Sequence, residues 1–321
     1  MLFGSGFTVL KKPFAFCDSF SLFYLLVSLV ACCCRTKLIE SLDMPIYAQY
    51  YFWLISVSLF CFILERISPW RPRQKVLRKQ FWQDVFWLLF NGHYLGLMLA
   101  MATGYAVQLF NGFLYRMGLP VPESLALMAA TPLWLQFIVF FVAKDFIEWN
   151  IHRLLHNVPW LWEFHKLHHS IEELDWIGNF RFHWAEVIVY KTLSYLPLVI
   201  LGIDNQVILV IAVIGTLMQD LNHSNLPIDW GPLKYVLNSA KMHVWHHDVI
   251  QHGKGGQNFG IVLSVWDWLF GTVYWPKDRE EPEKLGFDDM DNYPRSVPGR
   301  FFYPFWKGRG VTKGNVRRTL S

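Results

Sequence analysis

The sequence predicts an all-α integral membrane protein, and its composition and the order of its apolar runs are the evidence. Of its 321 residues, 53% are hydrophobic and only 17% are charged, whereas an ordinary soluble domain has about 25% charged residues. The apolar residues form runs of about the length that a helix needs to cross a bilayer, roughly 20 residues. We therefore expect about four transmembrane helices and, in addition, a re-entrant or interfacial helical hairpin.

Four apolar runs predict the transmembrane helices, and they lie near residues 17–34, 46–64, 84–110 and 126–143. The first run contains Asp18 and follows Lys11 and Lys12, so it could instead be a signal anchor. Together the four runs make residues 1–143 an N-terminal transmembrane region.

The charge of one loop predicts the topology. Residues 65–80, "ERISPWRPRQKVLRKQ", contain four arginines and two lysines, and the positive-inside rule places such a loop in the cytoplasm. Counting spans from this loop returns the chain to the cytoplasm after the fourth run. We predict a multi-pass membrane protein whose functional site lies on the cytoplasmic side.

A second apolar block, residues 186–221, is interrupted by "GIDNQ" at 202–206. Each half is short for a full span, so the block predicts a membrane hairpin that returns to the side on which it began. The more polar segments 144–185 and 222–275 then lie together as two parts of a cap. Residues 276–321 are polar and predict a solvated C-terminal tail.

Histidines recur in both cap segments at spacings typical of metal ligands. "HRLLH" places two histidines four apart, and "HKLHH" and "HVWHH" each place three at i, i+3 and i+4, so each group shares one helix face. Clustered imidazoles repel one another when protonated, whereas neutral imidazole is a strong metal ligand. With the histidine of "LNHSN" the set suits two metal ions, and its nine members are His152, His156, His165, His168, His169, His223, His243, His246 and His247.

The ligand type narrows the choice of metal. Structural zinc sites typically include cysteine, and no cysteine lies near these motifs. The zinc-hydrolase pattern HExxH and its inverse do not occur. Imidazole also binds copper and nickel, so the motifs do not by themselves name the metal. Iron with an open position for dioxygen is the interpretation that we prefer.

The order of these motifs resembles that of the fatty acid hydroxylase and sterol desaturase superfamily of integral-membrane di-iron enzymes. Further matches are "RFHWAE" at 181–186 and "NFGIVLSVWDWLFGT" at 258–272, and the resemblance extends roughly from residue 80 to 275. It implies a cytosolic helical cap that holds two iron ions, with the nine histidines as ligands and dioxygen as co-substrate. Family members often have proline after the histidine of the first of these stretches, where this chain has Trp184. His183 is therefore either a tenth ligand or a partner of a ligand.

Three acidic residues are candidates for orienting the ligands, because a carboxylate that accepts the second N–H of an imidazole fixes its tautomer and direction. Asp145 and Glu148 precede His152 by seven and four residues and lie on its helix face, and Asp248 follows His247 directly. We expect these acids to support the reaction, with ordinary solvated carboxylates as the alternative.

These features predict an oxygen-dependent hydroxylase or desaturase that acts on a C–H bond of a membrane lipid. A dinuclear zinc hydrolase and a non-catalytic lipid-binding or metal-storage protein are the alternatives. The sequence has no haem-attachment motif, fused cytochrome signature or dinucleotide fingerprint. A separate ferredoxin or b-type cytochrome with its reductase must then supply electrons, and the basic loop 66–79 could dock such an acidic carrier. The net charge of +4 is scattered, which excludes a nucleic-acid partner.

Overall fold

The computed structural model describes residues 45–119 and 127–305, all but the first of which belong to the unit Ile46–Ser321. Over these residues the chain is helical, which confirms the predicted all-α class. The described residues form no β-strand and only two isolated antiparallel bridges, Leu237 with Leu263 and Asp248 with Leu285. The first predicted transmembrane run, 17–34, lies outside the described residues.

Two long helical stretches precede the histidine motifs. Helix α1 spans Tyr50–Ile67, and after the basic loop helix α2, Phe81–Trp87, continues through a π-helical turn, Leu88–Tyr94, into helix α3, Leu95–Arg116. The π-helical turn contains Asn91, whose amide donates hydrogen bonds to the carbonyls of Phe180 and Phe182. The π-helical turn thereby connects the second helical stretch to residues 180–182, at the end of the first cap part.

Helix α4, Leu133–Asn157, carries residues 133–143 of the fourth apolar run directly into the first histidine motif. It does not end at residue 143, because no glycine or proline interrupts the sequence before Asn157. Helix α4 ends just before Pro159, which opens helix α5, Pro159–His169. Proline is tolerated in a first helical turn because its missing N–H would have no partner there. The first histidine pair is thus a rigid continuation of an apolar helix.

Where the sequence predicts a membrane hairpin, the structure has two helices joined by a short turn, α6, Trp184–Ile200, and α7, Asn205–His223. Asp204 caps α7, and its carboxylate accepts the N–H of Gln206 at 2.7 Å, as expected at a helix N-terminus. Among the described residues, α1 and α7 are the two helices with the length and hydropathy to cross a membrane. The fold is therefore helical and of membrane type.

The second cap part contains helix α8, Ala240–His246, and helix α9, Val265–Phe270. The prediction of a solvated tail after residue 275 is wrong for the part that the structure describes. The N–H of Gly286 donates to the His247 carbonyl at 3.0 Å, and Phe287 is buried. Helix α10, Val297–Phe302, packs beside α2, where its Arg300 donates to Gln83. The polar composition of this segment hides the few apolar residues that anchor it.

A buried ion network fixes the segment that links the first cap part to α6. Asp84 of α2 accepts hydrogen bonds from Arg78 at 2.7 Å and from Arg181 at 2.5 and 2.6 Å. Arg78 also donates to Asp175 at 2.5 Å. All four side chains are buried, and removing one partner of such a network leaves an uncompensated charge. Residues 175–181 are therefore held firmly beneath the second histidine motif.

Candidate metal centre

Nine histidines of the cap face one another, and their ring nitrogens form two neighbouring groups. Within each group, one donor atom of every member lies within 4.8 Å of the corresponding atom of every other member. The first group has five members and the second has four. The first comprises His152, His156, His165, His169 and His246, and the second comprises His168, His223, His243 and His247.

The helices divide each three-histidine motif between the two groups. Helix α5 gives His165 and His169 to the first group and His168 to the second, and α8 gives His246 to the first and His243 to the second. Seen down the helix axis, the side chain at i+3 lies to one side of the side chain at i, and the side chain at i+4 lies to the other side. Each "HX2HH" motif therefore serves both groups and holds them side by side.

The distances within each group are those of donors around one metal ion. In the first group, Nε2 of His169 lies 3.2 Å from that of His156 and 3.1 Å from that of His246. In the second, Nε2 of His223 lies 3.1 Å from that of His168 and 3.0 Å from that of His243. Nitrogen donors bound to one ion at about 2.1 Å are separated by roughly 3.0 to 3.4 Å. Both groups therefore have the dimensions of a metal site.

Backbone carbonyls fix the tautomer of three of these rings. Nδ1 of His152 donates to the carbonyl of Phe259 and Nδ1 of His246 to that of Gln257, each at 2.8 Å. Nδ1 of His223 likewise donates to the carbonyl of Gln219 at 2.8 Å. Because a carbonyl can only accept, Nδ1 carries the proton and the neutral ring directs its Nε2 lone pair into the group.

A carboxylate fixes a fourth ring. Oε1 of Glu186 lies 2.8 Å from Nδ1 of His165, so the carboxylate accepts the N–H of that ring. The Nε2 lone pairs of His165 and His152 then face each other at 3.2 Å. Two lone pairs at this distance repel unless a cation lies between them. The donor set therefore fits metal ions on the evidence of its own hydrogen bonds.

Burial keeps the rings in the form that binds metal. In the two "HX2HH" motifs it lowers the pKa of all six histidines well below the ordinary value, and the positive charge of neighbouring histidines lowers it further. Neutral imidazole with a free lone pair is the ligand form. The six are His165, His168, His169, His243, His246 and His247.

His183, the predicted tenth candidate, does not join either group. Its Nδ1 accepts the N–H of Ala185 and its Nε2 donates to the carbonyl of Phe301, both at 3.1 Å. Burial lowers the pKa of His183 to about 4. With both ring nitrogens engaged, this side chain connects the start of α6 to α10.

The hydrogen bonds and ion pairs of the three predicted acids are to residues other than the nine histidines. Asp145 accepts the backbone N–H of Val262 at 3.0 Å and the indole N–H of Trp266 at 2.8 Å. Asp248 lies 2.8 Å from Nε2 of His252, and Glu148 pairs with Lys144 at 2.7 Å. Asp145 thus holds the chain after the glycine-rich loop, and Glu148 lines a cavity beside the histidines.

Glu186 lies in the stretch "RFHWAE", but the sequence alone predicts no role for it. Glu186 follows His165 by 21 residues on a different helix, and no periodicity connects the two. The feature of the sequence that could have indicated a role for Glu186 is its position at the start of an apolar helix, directly after a histidine-containing stretch.

The glycine-rich loop 253–260 supplies the carbonyls that orient the rings of His152 and His246. Gly255 and Gly256 have φ angles of +85° and +107°, which side chains rarely adopt. A Cβ atom on Gly255 would lie 1.9 Å from Oδ1 of Asn157. Glycine is therefore required for the close approach of this loop to the end of α4.

Two cavities reach the histidines, and among the described residues none lines both. The larger, of about 140 Å³, runs between α4, α6 and α7 and contacts His152, His168, His223 and His243. The smaller, of about 30 Å³, contacts three members of the first group, namely His156, His169 and His246.

The fold and the donor set define a helical protein of membrane type with a histidine-rich site for two metal ions. Residues 137–272 match the family model described as fatty acid hydroxylase. This match supports the resemblance to the fatty acid hydroxylase and sterol desaturase superfamily that the order of the histidine motifs predicts.

Relatives with curated descriptions share this part of the chain. It is 34% identical over 145 residues to an ornithine lipid hydroxylase of Rhizobium tropici, covering 45% of this chain and 44% of the relative. It is 29% identical over 161 residues to methylsterol monooxygenase 1-2 of Arabidopsis thaliana (49% and 50%) and 29% over 197 residues to alkylglycerol monooxygenase of Homo sapiens (56% and 44%). The matched part spans about half the length of these relatives. No solved structure matches the chain.

Proposed function

We propose that this chain is an oxygen-dependent membrane hydroxylase or desaturase that oxidises a C–H bond of a lipid at a centre of two iron ions. One observation carries the proposal: nine neutral imidazoles meet in two adjacent groups beside a cavity between apolar helices. The names of the relatives, which include lipid hydroxylases and monooxygenases, support it. The bound irons would supply the activation of dioxygen, for which amino-acid side chains lack the redox chemistry.

The residues of the chain would hold and orient this centre. The five-histidine group and the four-histidine group each hold one ion. Glu186 and the carbonyls of Gln219, Gln257 and Phe259 keep four rings in the required tautomer. Such partners also make the ligating nitrogen more basic. With nitrogen donors and no sulfur donor in either group, the set suits an ion that keeps an open position for a small molecule.

The larger cavity is the path by which a lipid would reach the centre. It is bounded by α4, α6 and α7, and residues of all three helices face it. A lipid that enters from the bundle excludes water from the reacting carbon, which protects the reaction from side processes. The histidines that line it come from both groups: His152 belongs to the first group, and His168, His223 and His243 belong to the second.

A separate electron donor, a ferredoxin or a b-type cytochrome with its reductase, belongs to the same proposal. The basic loop offers less free charge to such a donor than its composition suggests. Arg71 pairs with Glu281 and Lys79 with Glu172, while Arg78 is buried in the ion network. Arg73 and Lys75 form no ion pair with the described residues and would be the docking cations.

Metal analysis tests the function. The full chain is purified in detergent from iron-enriched cells, and its metal content and Mössbauer spectrum are recorded. Two coupled irons per chain, with lipid oxidation that requires dioxygen and a supplied reductase, are expected. Replacing His168 and His169 with alanine should lower the iron content and abolish turnover. His93→Ala is the matched control, because His93 lies outside both histidine groups and its ring packs against those of Tyr51 and Tyr94. Zinc in place of iron, or turnover without dioxygen, contradicts the proposal and favours the hydrolase.

A further inference from the structure

The larger cavity is lined by ionisable side chains as well as apolar ones. Lys144 and Glu148 of α4 and Lys191 and Tyr195 of α6 all face it. Ionisable residues within membrane-type helices are costly and usually serve a function. A cavity that received only a hydrocarbon chain would have no use for them.

One of the two lysines already has a counter-ion. Nζ of Lys144 donates to Oε2 of Glu148 at 2.7 Å, and both side chains are buried. The other carboxylate of the cavity, Glu186, is engaged with His165. Both acidic groups of the lining therefore have a partner.

Lys191 has no counter-ion among the residues that the structure describes. Its Nζ lies 5.9 Å from the centroid of the Tyr195 ring, a cation–π contact of modest strength at that distance. The side chain is half-buried, so water solvates its charge only in part. The ammonium group of Lys191 is therefore the charged group of the lining that has no direct ion-pair partner among the described residues.

The position of this charge relative to the histidines follows from helix geometry. Lys191 lies five residues beyond Glu186 on α6, about 7 Å along the helix, and Lys144 lies two turns before His152, about 12 Å away. Lys191 is therefore set back by about 7 Å along α6 from the carboxylate that contacts His165, and both residues line the same cavity. This separation is long enough to place carbon atoms of the same molecule beside the histidines.

We propose that the cavity binds an anionic lipid and that Lys191 is the counter-ion of its carboxylate or phosphate group. This inference rests on the proposed function only for the reaction that follows binding. A neutral lipid would leave Lys191 without a partner in a confined space, whereas an anion gives it a charge-assisted hydrogen bond. Lys191 is thus a specificity-determining residue for the class of lipid that is oxidised.

The test measures binding to the full chain as purified in a neutral detergent, without reductant, so that no turnover occurs. Titration calorimetry with palmitate, phosphatidate and hexadecanol compares two lipid anions with a neutral lipid of similar length. The wild type should bind palmitate and phosphatidate about tenfold or more tightly than hexadecanol, as for a hydrogen bond to a charged group. Lys191→Met should remove this preference, and Lys191→Arg should retain most of it.

Lys277→Met is the matched control, because Lys277 is exposed and remote from the cavity, and its affinities should equal those of the wild type. Equal affinity of the wild type for palmitate and hexadecanol overturns the inference without any variant, as does a preference that Lys191→Met leaves intact. Binding of inorganic phosphate that depends equally on Lys191 would assign the charge to a free anion and also overturn the lipid assignment. Failure of the iron analysis leaves these binding results unchanged, so the two proposals fail independently.

Discussion

Removing the carboxylate of Glu186 tests the orientation of the first histidine group directly. Glu186 accepts the Nδ1–H of His165 at 2.8 Å, and both side chains are only 1% exposed. In Glu186→Ala the ring keeps its N–H but loses its acceptor in a buried place. A hydrogen bond to a charged group contributes roughly 1.5 to 3 kcal/mol, which corresponds to about 10- to 100-fold in metal affinity.

Competition with a chelator measures this loss. Purified protein is titrated with a chelator of known iron affinity, and the retained iron is counted per chain. Glu186→Ala should release one of the two irons at about 10- to 100-fold lower chelator concentration than the wild type. Glu186→Gln should lie between them, because its amide oxygen still accepts the N–H without a charge.

A surface acid provides the control for this experiment. Glu172 pairs with Lys79 at the protein surface, where an ion pair contributes only about 0 to 1 kcal/mol, so Glu172→Ala should leave both irons bound as in the wild type. Wild-type iron retention by Glu186→Ala would refute the argument that this carboxylate orients a ligand.

Three further predictions concern the frame around the site. Asp145→Asn should lower the free energy of unfolding by roughly 1.5 to 3 kcal/mol, because its new amide N–H meets the indole N–H of Trp266; an unchanged thermal midpoint in detergent would contradict this. Gly255→Ala should be destabilised more than Gly271→Ala, since both glycines have positive φ but only at Gly255 does a Cβ meet a neighbour, Asn157; equal midpoints would remove the argument from close approach. The metal-free protein should lose stability as the pH falls below about 6.5. In the unfolded chain the six histidines of the "HX2HH" motifs then bind protons, whereas in the folded protein their lowered pKa keeps them neutral. The free energy of unfolding should fall by up to about 1.4 kcal/mol per pH unit for each ring. Unfolding midpoints that do not change between pH 7.5 and 5.5 would contradict this pH dependence.

Features that depend on neighbouring residues of the sequence could be predicted well. The shared faces of the histidine motifs follow from helix periodicity, and the hairpin of α6 and α7 follows from two apolar halves around a polar turn. Both are local consequences of side-chain spacing. The superfamily could be inferred for the same reason, because its motifs are local patterns.

Features that depend on contacts between residues distant in the sequence could not be predicted. Asp145 shares a helix face with His152, yet its partners lie more than a hundred residues later, at Val262 and Trp266. Glu186 reaches His165 across two helices. Periodicity shows which way a side chain points along its own helix, but it carries no information on which other helix stands opposite.

The two cavities contact different histidines, and no described residue lines both. The smaller cavity has room for only about two water molecules, so it can pass small polar species but no lipid. A lipid bound in the larger cavity, as we propose, would leave His156, His169 and His246 accessible from the smaller one. Binding of a lipid in the larger cavity and exchange of small water-soluble species through the smaller one would then be independent of each other.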